Sequence, residues 1–443
     1  MICRANGCGA DVEDVSLLPE NLRRVVGIYG IARSVRTILN APGEPRLHSV
    51  ASIPNETART LGADFAGHTG AIGETWVEAA TGAVGELVER YCSTAQSSLL
   101  YSSKQDLPAR GYSMQDLGVY SKAQYMSERF PFRMLADDEE TTWVAGRDMN
   151  DGSQVFVPAC MVYIPYVPQY EDRRDWGGFA VSTGQACHSD IERARLLGLC
   201  EAIERDAFMI TWLRALPATE IHYQEDPVVA SWFDRYLAVD SLDFHLFRLA
   251  NDVQVPTMLC IVRGESPQGP FACVGCATRP TEREAAKKAL IEGAQGAVWV
   301  RDLIDSKPDW TPDPDYRNLL DFEDHVRLYG IPSVLKNLDF LYTGGEDILD
   351  DAEPIKNPSE TVAHLLRALR DVGIGALEVD LTTSDVREMG SRVVKVILPG
   401  TSQLQSVHAI PALGSPRLNT MPTAVGLRDI DDRTLNTNPH PFP

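Results

Sequence analysis

A chain of 443 residues, 44% hydrophobic and 23% charged, holds enough apolar material for a large core and for two or three domain-sized units. Its net charge of −21 argues against general binding to nucleic acid or to anionic membrane, and suits a basic ligand such as a cationic peptide. Nine cysteines, an odd number, argue against a disulfide framework.

The start, MICRANGCGADVEDV, is polar and acidic where a signal peptide needs an apolar stretch, so a cytoplasmic protein is expected. Strand-like RVVGIYGIARSVRTIL and a proline-rich connector fill an N-terminal segment, 1–58. A helix is predicted from Glu74 to about Leu100. Strands follow in TTWVAGRDM and in QVFVPACMVYIPYV, whose run from Val155 to Val167 is too short and too rich in proline to span a bilayer and reads as buried strand. The glycine-rich turn WGGFAVSTGQA leads into a second long helix, from about Asp190 to Leu213. Strand-like FHLFRLA, TMLCIVRG and FACVGCAT precede a third helix, opened by a capping box between Thr281 and Glu284 and running to about Leu303. The acidic, proline-bearing stretches 307–316 and 344–354 read as surface loops. A helix near 359–372, strands in ALEVDL and RVVKVIL, and the tail Pro439-His440-Pro441-Phe442-Pro443 complete the chain. Helices interleaved with hairpin-like strands predict an α+β fold, not a doubly wound parallel sheet. Cys3 with Cys8 and Cys273 with Cys276 have zinc-like spacing, but the second pair sits in an apolar strand, where free cysteine behaves as a small hydrophobe.

One pattern carries chemistry. Glu86, Glu89 and Arg90 form E-x-x-E-R on the first helix; Glu201, Glu204 and Arg205 repeat it on the second; Glu292 and Gln295 form E-x-x-Q on the third. Side chains three apart share a helix face. If the helices converge, five carboxylates and an amide meet, and such a cluster stays ionised only when cations fill it. Magnesium prefers this kind of oxygen shell, completed by water and phosphates. A solvated helix face is the alternative. Weakly charged surroundings such as GLCEAI argue against it, as do Gly82, Gly85, Gly198, Gly293 and Gly296, which tight helix packing explains equally well. No G-x-x-x-x-G-K-[ST] loop, G-x-G-x-x-G or nucleophile elbow is present. The turn Ser182–Ala186 has hydroxyl and backbone N–H groups to offer a phosphate or ribose. The residues support a metal–carboxylate site on helices and do not name a reaction.

GAIGETWVEAATGAVGELVERY, STGQACHSDIERARLLGLCEAIERDAFMITW and GCATRPTEREAAKKALIEGAQ resemble, in order, the three ATP-binding blocks of the YcaO family. The likeness runs on through VDLTTSDV and VVKVILPG to ALGSPRL, and so covers roughly residues 25 to 443. It implies an α+β YcaO fold, with helices on mixed or antiparallel sheets, an ATP site between the long helices, and one catalytic domain over 59–443. It also implies ATP and Mg2+ as cofactors. Glu86, Glu89, Glu201 and Glu204 would hold the metal, Glu292 and Gln295 would complete the shell or contact phosphate, Arg205 would face the phosphates, and Ser182 and Gly184 would line the nucleotide. The ending PHPFP is similar to the P-x-P-x-P terminus of the azoline-forming members, in which the chain end reaches the active site. Pro443, through its terminal carboxylate, is therefore the candidate catalytic proton acceptor or positioning group.

The activity so implied is cyclodehydration of Cys, Ser or Thr in a ribosomally made precursor peptide to thiazoline or oxazoline. The partners implied are that peptide, a separate leader-binding subunit resembling ubiquitin-activating enzymes, and a flavin dehydrogenase where azoles are the end product, in an oligomeric complex. Three departures from the family pattern concern the phosphate contacts. Ile72 stands where many members carry lysine, Gly82 where many carry serine, and the usual third-block arginine is missing, with Arg301 one to two turns on. Microcin-type cyclodehydratases are similar in tolerating the first two. Thioamide or macroamidine formation, and a non-catalytic nucleotide-binding scaffold, are the rival readings.

Overall fold

The computed structural model describes residues 15–56, 67–168, 177–178, 180–350, 352–353, 355–427 and 435–442. Cys3, Cys8 and Pro443 lie outside these residues. Three antiparallel strands come first: β1 (Ala32–Ile38), β2 (His48–Pro54) and β3 (Thr69–Gly73), so the N-terminal segment pairs directly with the main unit through β2 and β3. Only part of the strand-like RVVGIYGIARSVRTIL is strand. Gly27, at φ 144°, and Gly30, whose Cβ would lie 2.1 Å from the Val25 carbonyl oxygen, turn the chain sharply before β1.

Helix α1 (Trp76–Thr94) follows, opened by a complete capping box between Thr75 and Glu78. A seven-stranded sheet then collects β4 (Leu99–Ser103), β5 (Arg110–Gly111), β6 (Glu140–Asp148), β7 (Gln154–Pro158) and β8 (Gln185–His188) from the first half of the chain. β14 (Leu377–Asp380) and β15 (Arg392–Ile397) join it from the second half. Its path is β5-β7-β6-β14-β15-β8, with β4 also on β6; only β5 and β7 pair in parallel. The apolar run expected as one buried strand from Val155 to Val167 stops at Pro158, where β7 gives way to a 3-10 turn, Ala159–Met161. Pro158 has no N–H for a further ladder bond.

Helix α2 (Ile191–Arg214), N-capped by Asp190, packs on β15 and β8. A five-stranded sheet follows, ordered β12-β11-β10-β9-β13: β9 (Thr219–Ile221), β10 (Leu242–Arg248), β11 (Thr257–Ser266), β12 (Gly269–Thr278) and β13 (Glu346–Asp347), the last parallel to β9. Alternate residues of β11 enter different cores, Met258, Cys260 and Val262 on one face and Leu259 and Ile261 on the other. Burial on both faces explains why this strand reads as continuously apolar. Cys273 and Cys276 of β12 likewise fall into opposite cores, as an odd spacing on a strand requires, so they are packing residues and cannot share a metal.

Helix α3 (Glu282–Ser306) packs on β11 and β12. Thr281 caps it by accepting from the Glu284 N–H, but the Glu284 carboxylate takes the Thr281 hydroxyl at 3.0 Å, so the expected box forms on one side. Among the shorter helices are α4 (Phe322–Leu328), α5 (Pro358–Asp371) and α6 (Arg417–Ala424). The result is α+β, with long helices on mixed and antiparallel sheets, as expected from the sequence.

The glycines of the long helices answer to the sheets beneath them. A Cβ on Gly198 would lie 2.7 Å from the Gly184 carbonyl oxygen and 2.9 Å from a Val396 methyl. Gly275 on β12 meets the α3 backbone so closely that a Cβ would lie 2.2 Å from the Gly293 nitrogen.

Candidate active site

The three long helices converge on one cavity of about 940 Å3, roofed by β3 and by the Val181–Thr183 turn. From α1 come Glu86, Glu89 and Arg90; from α2, Glu201 and Arg205; from α3, Lys288, Glu292 and Gln295. Asp321 and Glu323 add two carboxylates at the start of α4, and Ser182 lines the same space.

Local charge partners hold these groups. Glu86 Oε1 pairs with Arg90 Nη2 at 2.6 Å, and Glu292 Oε1 with Lys288 Nζ at 3.0 Å. Glu89 Oε1 accepts from the Cys187 N–H at 2.7 Å, which ties α1 to β8. Gln295 Nε2 donates to the Gly70 carbonyl at 3.2 Å, tying α3 to β3. Arg205 is the hub: Nη1 lies 2.9 Å from Glu204 Oε1, Nη2 lies 3.4 Å from Glu201 Oε1, and the guanidinium sits 4.0 Å from the centre of the Phe442 ring.

Crowding shows in the acidities. Desolvation, then the charge of Glu201, raises the Glu89 carboxyl well above its ordinary value against the Cys187 N–H, with Glu86 adding to the rise. Desolvation also raises Glu201, opposed chiefly by Arg205. Glu204 is pushed up to about 7, by burial first, with Arg205 opposing and Glu292 and Glu201 adding. Beneath the site, burial lowers the Lys395 ammonium to about 8 against the charge of Glu201, and its Nζ donates to the Val181 carbonyl at 2.5 Å.

Two candidates face elsewhere. Glu204 is only 4% exposed, lies outside the cavity wall, and accepts from the Thr278 N–H of β12 at 3.0 Å. Gly184, at φ 79°, shapes the turn beneath the cavity: a Cβ there would lie 2.0 Å from the Val396 carbonyl oxygen. Arg301 lies over the Phe271 ring, 5.3 Å from its centre, and is not in the cavity wall. In turn, the wall contains residues that sequence reasoning passed over. Lys288 could have been found one turn before Glu292. Asp321 and Glu323, at the start of α4, and Leu404 gave no local signal, whereas Phe442 belongs to the PHPFP tail that the family resemblance had pointed to.

Oxygen donors and cations dominate the wall: six carboxylates, two guanidinium groups and one ammonium among the described residues. Among those residues no three His, Cys, Asp or Glu side chains are gathered to hold an ion unaided, since each carboxylate leans on a neighbouring Arg, Lys or N–H. The excess of carboxylate and the raised Glu89 and Glu201 fit a hard cation, whose charge would relieve the repulsion. The cavity lies at the upper end of ordinary ligand-pocket sizes, roughly 300–1,000 Å3, and so suits a nucleotide.

Fold and cavity thus define an α+β protein with an acidic, cation-lined nucleotide-sized site carried on helices. Residues 70–402 match the description of the YcaO cyclodehydratases, which bind ATP and Mg2+, and the chain belongs to the YcaO family. Its fold is similar to that of a heterocyclase in complex with substrate and cofactor, at TM-score 0.75 and 18% identity over 95% of this chain and 56% of that one. It is also similar to YcaO from Methanopyrus kandleri bound with AMPPCP and Mg2+ (TM-score 0.56, 19% identity, 84% and 86% covered). An E. coli microcin synthetase McbBCD complex with pro-MccB17 bound gives TM-score 0.61 at 16% identity, with 92% and 96% covered. A protein from Rhizobium leguminosarum bv. trifolii, known as an uncharacterized protein in the tfuA 3′ region, is 28% identical over 183 residues, 38% of this chain and 41% of that protein. The chain thus spans less than half of that relative, and about half of the first heterocyclase. No helix among the described residues is long and apolar enough to cross a membrane.

Proposed function

We propose that this chain is the ATP- and Mg2+-dependent cyclodehydratase subunit of a peptide-modifying complex. It would convert Cys, Ser or Thr of a ribosomally made precursor peptide to thiazoline or oxazoline. The observation that carries the reading is the convergence of carboxylates and cations from α1, α2 and α3 on one cavity with Phe442 of the proline-rich tail in its wall.

In the reaction the side-chain sulfur or oxygen bonds to the preceding carbonyl carbon and gives up its proton. The carbonyl oxygen, now an oxyanion, takes a phosphoryl group, and phosphate leaves as the C=N bond forms and the amide proton departs. ATP would supply that phosphoryl group and leave as ADP, and Mg2+ held by the carboxylates would neutralise phosphate charge. The residues contribute position and charge. Glu86, Glu89 and Glu201 offer oxygen ligands; Glu292 and Gln295 complete the shell or contact phosphate; Arg205 faces the phosphates; Ser182 lines the nucleotide. Lys288 and Arg90 supply positive charge in a cavity that lacks the usual lysine at position 72. Glu204 supports the site from behind by orienting Arg205, and Gly184 does so by shaping the turn after Ser182. The terminal carboxylate of Pro443 takes a proton or positions the peptide; the cavity-lining place of Phe442, one residue earlier, supports this.

The partners that go with this reading are the precursor peptide, a leader-binding subunit resembling ubiquitin-activating enzymes, and a flavin dehydrogenase where azoles are the end product. Incubation of the chain and its leader-binding partner with a Cys-containing precursor, Mg2+ and ATP should lower the peptide mass by one water per modified residue, with matching phosphate release. Unchanged peptide would favour a nucleotide-binding scaffold, and a gain of sulfur would favour thioamidation. Deleting Pro443 alone should abolish turnover and leave nucleotide affinity unchanged; normal turnover would remove its role.

A further inference from the structure

Behind the cavity wall lies a second pocket of about 240 Å3. Met209, Trp212, Pro411 and Leu413 make it apolar, and among the described residues no Asp, Glu, Lys or Arg lines it. Its histidines are neutral in character: burial lowers His325, His408 and His440 below their ordinary values. Two polar atoms of its wall have no partner among the described residues, Gln405 Nε2 and His325 Nε2; His325 Nδ1 donates to the His440 carbonyl, so its Nε2 is an acceptor, and Gln405 offers the donor. Gln405 is 4% exposed. A buried donor without an acceptor is rare and costly in a folded protein, and marks a place where a ligand's carbonyl would be satisfied.

The pocket shares its walls with the nucleotide cavity. On α2, Arg205 faces the cavity and Met209, four residues on, faces the pocket. Leu404 and Gln405 divide in the same way, as do Phe322 and His325, and Phe442 and His440 of the tail. The partition is held by the His440 Nε2 bond to the Gln405 carbonyl, at 3.0 Å. Four helical residues rise about 6 Å. Two residues of extended peptide reach about as far, at roughly 3.5 Å each. Its volume falls just below the roughly 300–1,000 Å3 of pockets that enclose a drug-sized molecule, and leaves room for one side chain of any size with part of its backbone.

We propose that this pocket binds the apolar side chain of the peptide residue that precedes the cyclised one, with the Gln405 side-chain amide donating to a peptide carbonyl. The proposal rests on the cyclodehydratase reading for the identity of its ligand as a peptide. It makes the pocket a specificity site, selecting the residue whose carbonyl is attacked.

The test uses the full chain with Mg2+ and a non-hydrolysable ATP analogue. The probes are capped peptides acetyl-Gly-X-Cys-Gly-amide, with binding read by saturation-transfer NMR and titration. With X as Leu, affinity should be about tenfold above X as Asp, the gain from burying one apolar side chain. Leu413→Trp, which fills the pocket, should erase that preference and leave the analogue's affinity within about twofold. Gln405→Leu should weaken all the peptides about fivefold, including X as Gly, because it removes a donor to the backbone. Equal binding of Leu and Asp peptides by the wild type, or a preference that survives Leu413→Trp, overturns the pocket. If Leu413→Trp loses the analogue as well, Gln405→Leu decides, and unchanged peptide affinity in that variant overturns the proposal. The two readings fail separately. If the peptides bind with the Leu preference, but ATP and the leader-binding partner in place of the analogue leave the Cys-containing precursor undehydrated, cyclodehydration falls and the pocket stands.

Discussion

Arg205 holds together two carboxylates and the ring of Phe442, so its replacement tests more than charge. Lysine keeps the charge but loses the planar fork and the stacking on the ring. Arg205→Lys should therefore weaken a Mg2+–nucleotide analogue about tenfold by calorimetry, where a simple charge requirement would leave it unchanged. The two glutamates beside it should separate cleanly. Glu201 faces the cavity, so Glu201→Gln should cut turnover by about a hundredfold while thermal stability holds. Glu204 faces β12 and Arg205, so Glu204→Gln breaks a buried ion pair and should cost about 3 kcal/mol in urea unfolding. A pair of variants with matching effects on both readouts would contradict this division. The sequence alone treats the two glutamates alike, because three residues of a helix turn only about 60° short of a full circle. That small angle is enough to aim one carboxylate at the cavity and the other at the sheet.

At the level of elements, the three long helices were legible because each combines a clear start with helical periodicity and a charged pair on one face. Asp190 and Thr281 cap the second and third as their positions suggest. The strands of the five-stranded sheet were legible too, since burial on both faces leaves an unbroken apolar run. What stayed hidden depends on meetings between distant segments. The PHPFP ending pointed to the site only through its family resemblance, and nothing local to Leu404 or Asp321 announces the cavity. The helix glycines answer to packing: Gly198 accommodates the Gly184 carbonyl and Val396, and Gly293 accommodates Val262 and Cys260 of β11. Gly198→Ala should therefore cost about 1–3 kcal/mol, the usual penalty for overpacking, and leave nucleotide affinity unchanged in the folded fraction. Equilibrium denaturation with a parallel binding titration checks both.

Across the whole molecule the tail is a structural member. Trp212 Nε1 donates to the Asn438 carbonyl at 2.8 Å, the Tyr329 hydroxyl to the Pro439 carbonyl at 2.7 Å, and His325 Nδ1 to the His440 carbonyl at 2.9 Å. His440 is held well below its ordinary value, by burial first, then by His325, with His408 and Arg205 adding and the Gln405 carbonyl opposing. His325 is lowered by burial, against the carbonyls and the carboxylates of Asp324 and Asp321. His408 is lowered to about 4 by burial and by His325. The sign follows from linkage. The unfolded histidines take up protons near pH 6.5 and the folded ones do not, so their support for the docked tail is complete above that value and drains away as pH falls below it. Deuterium exchange in the segment 402–408, measured relative to that of unstructured peptide at each pH, should rise between pH 7.5 and 5.5, and His440→Gln should blunt the rise; a flat relative profile in the wild type would refute it. Residues as far apart as Gly67 and Phe442 line the same cavity. The cavity therefore forms only when segments hundreds of residues apart close on one another. Long-range closure of this kind is slow and leaves sticky surface waiting. It also means that no excised module carries the chemistry with it.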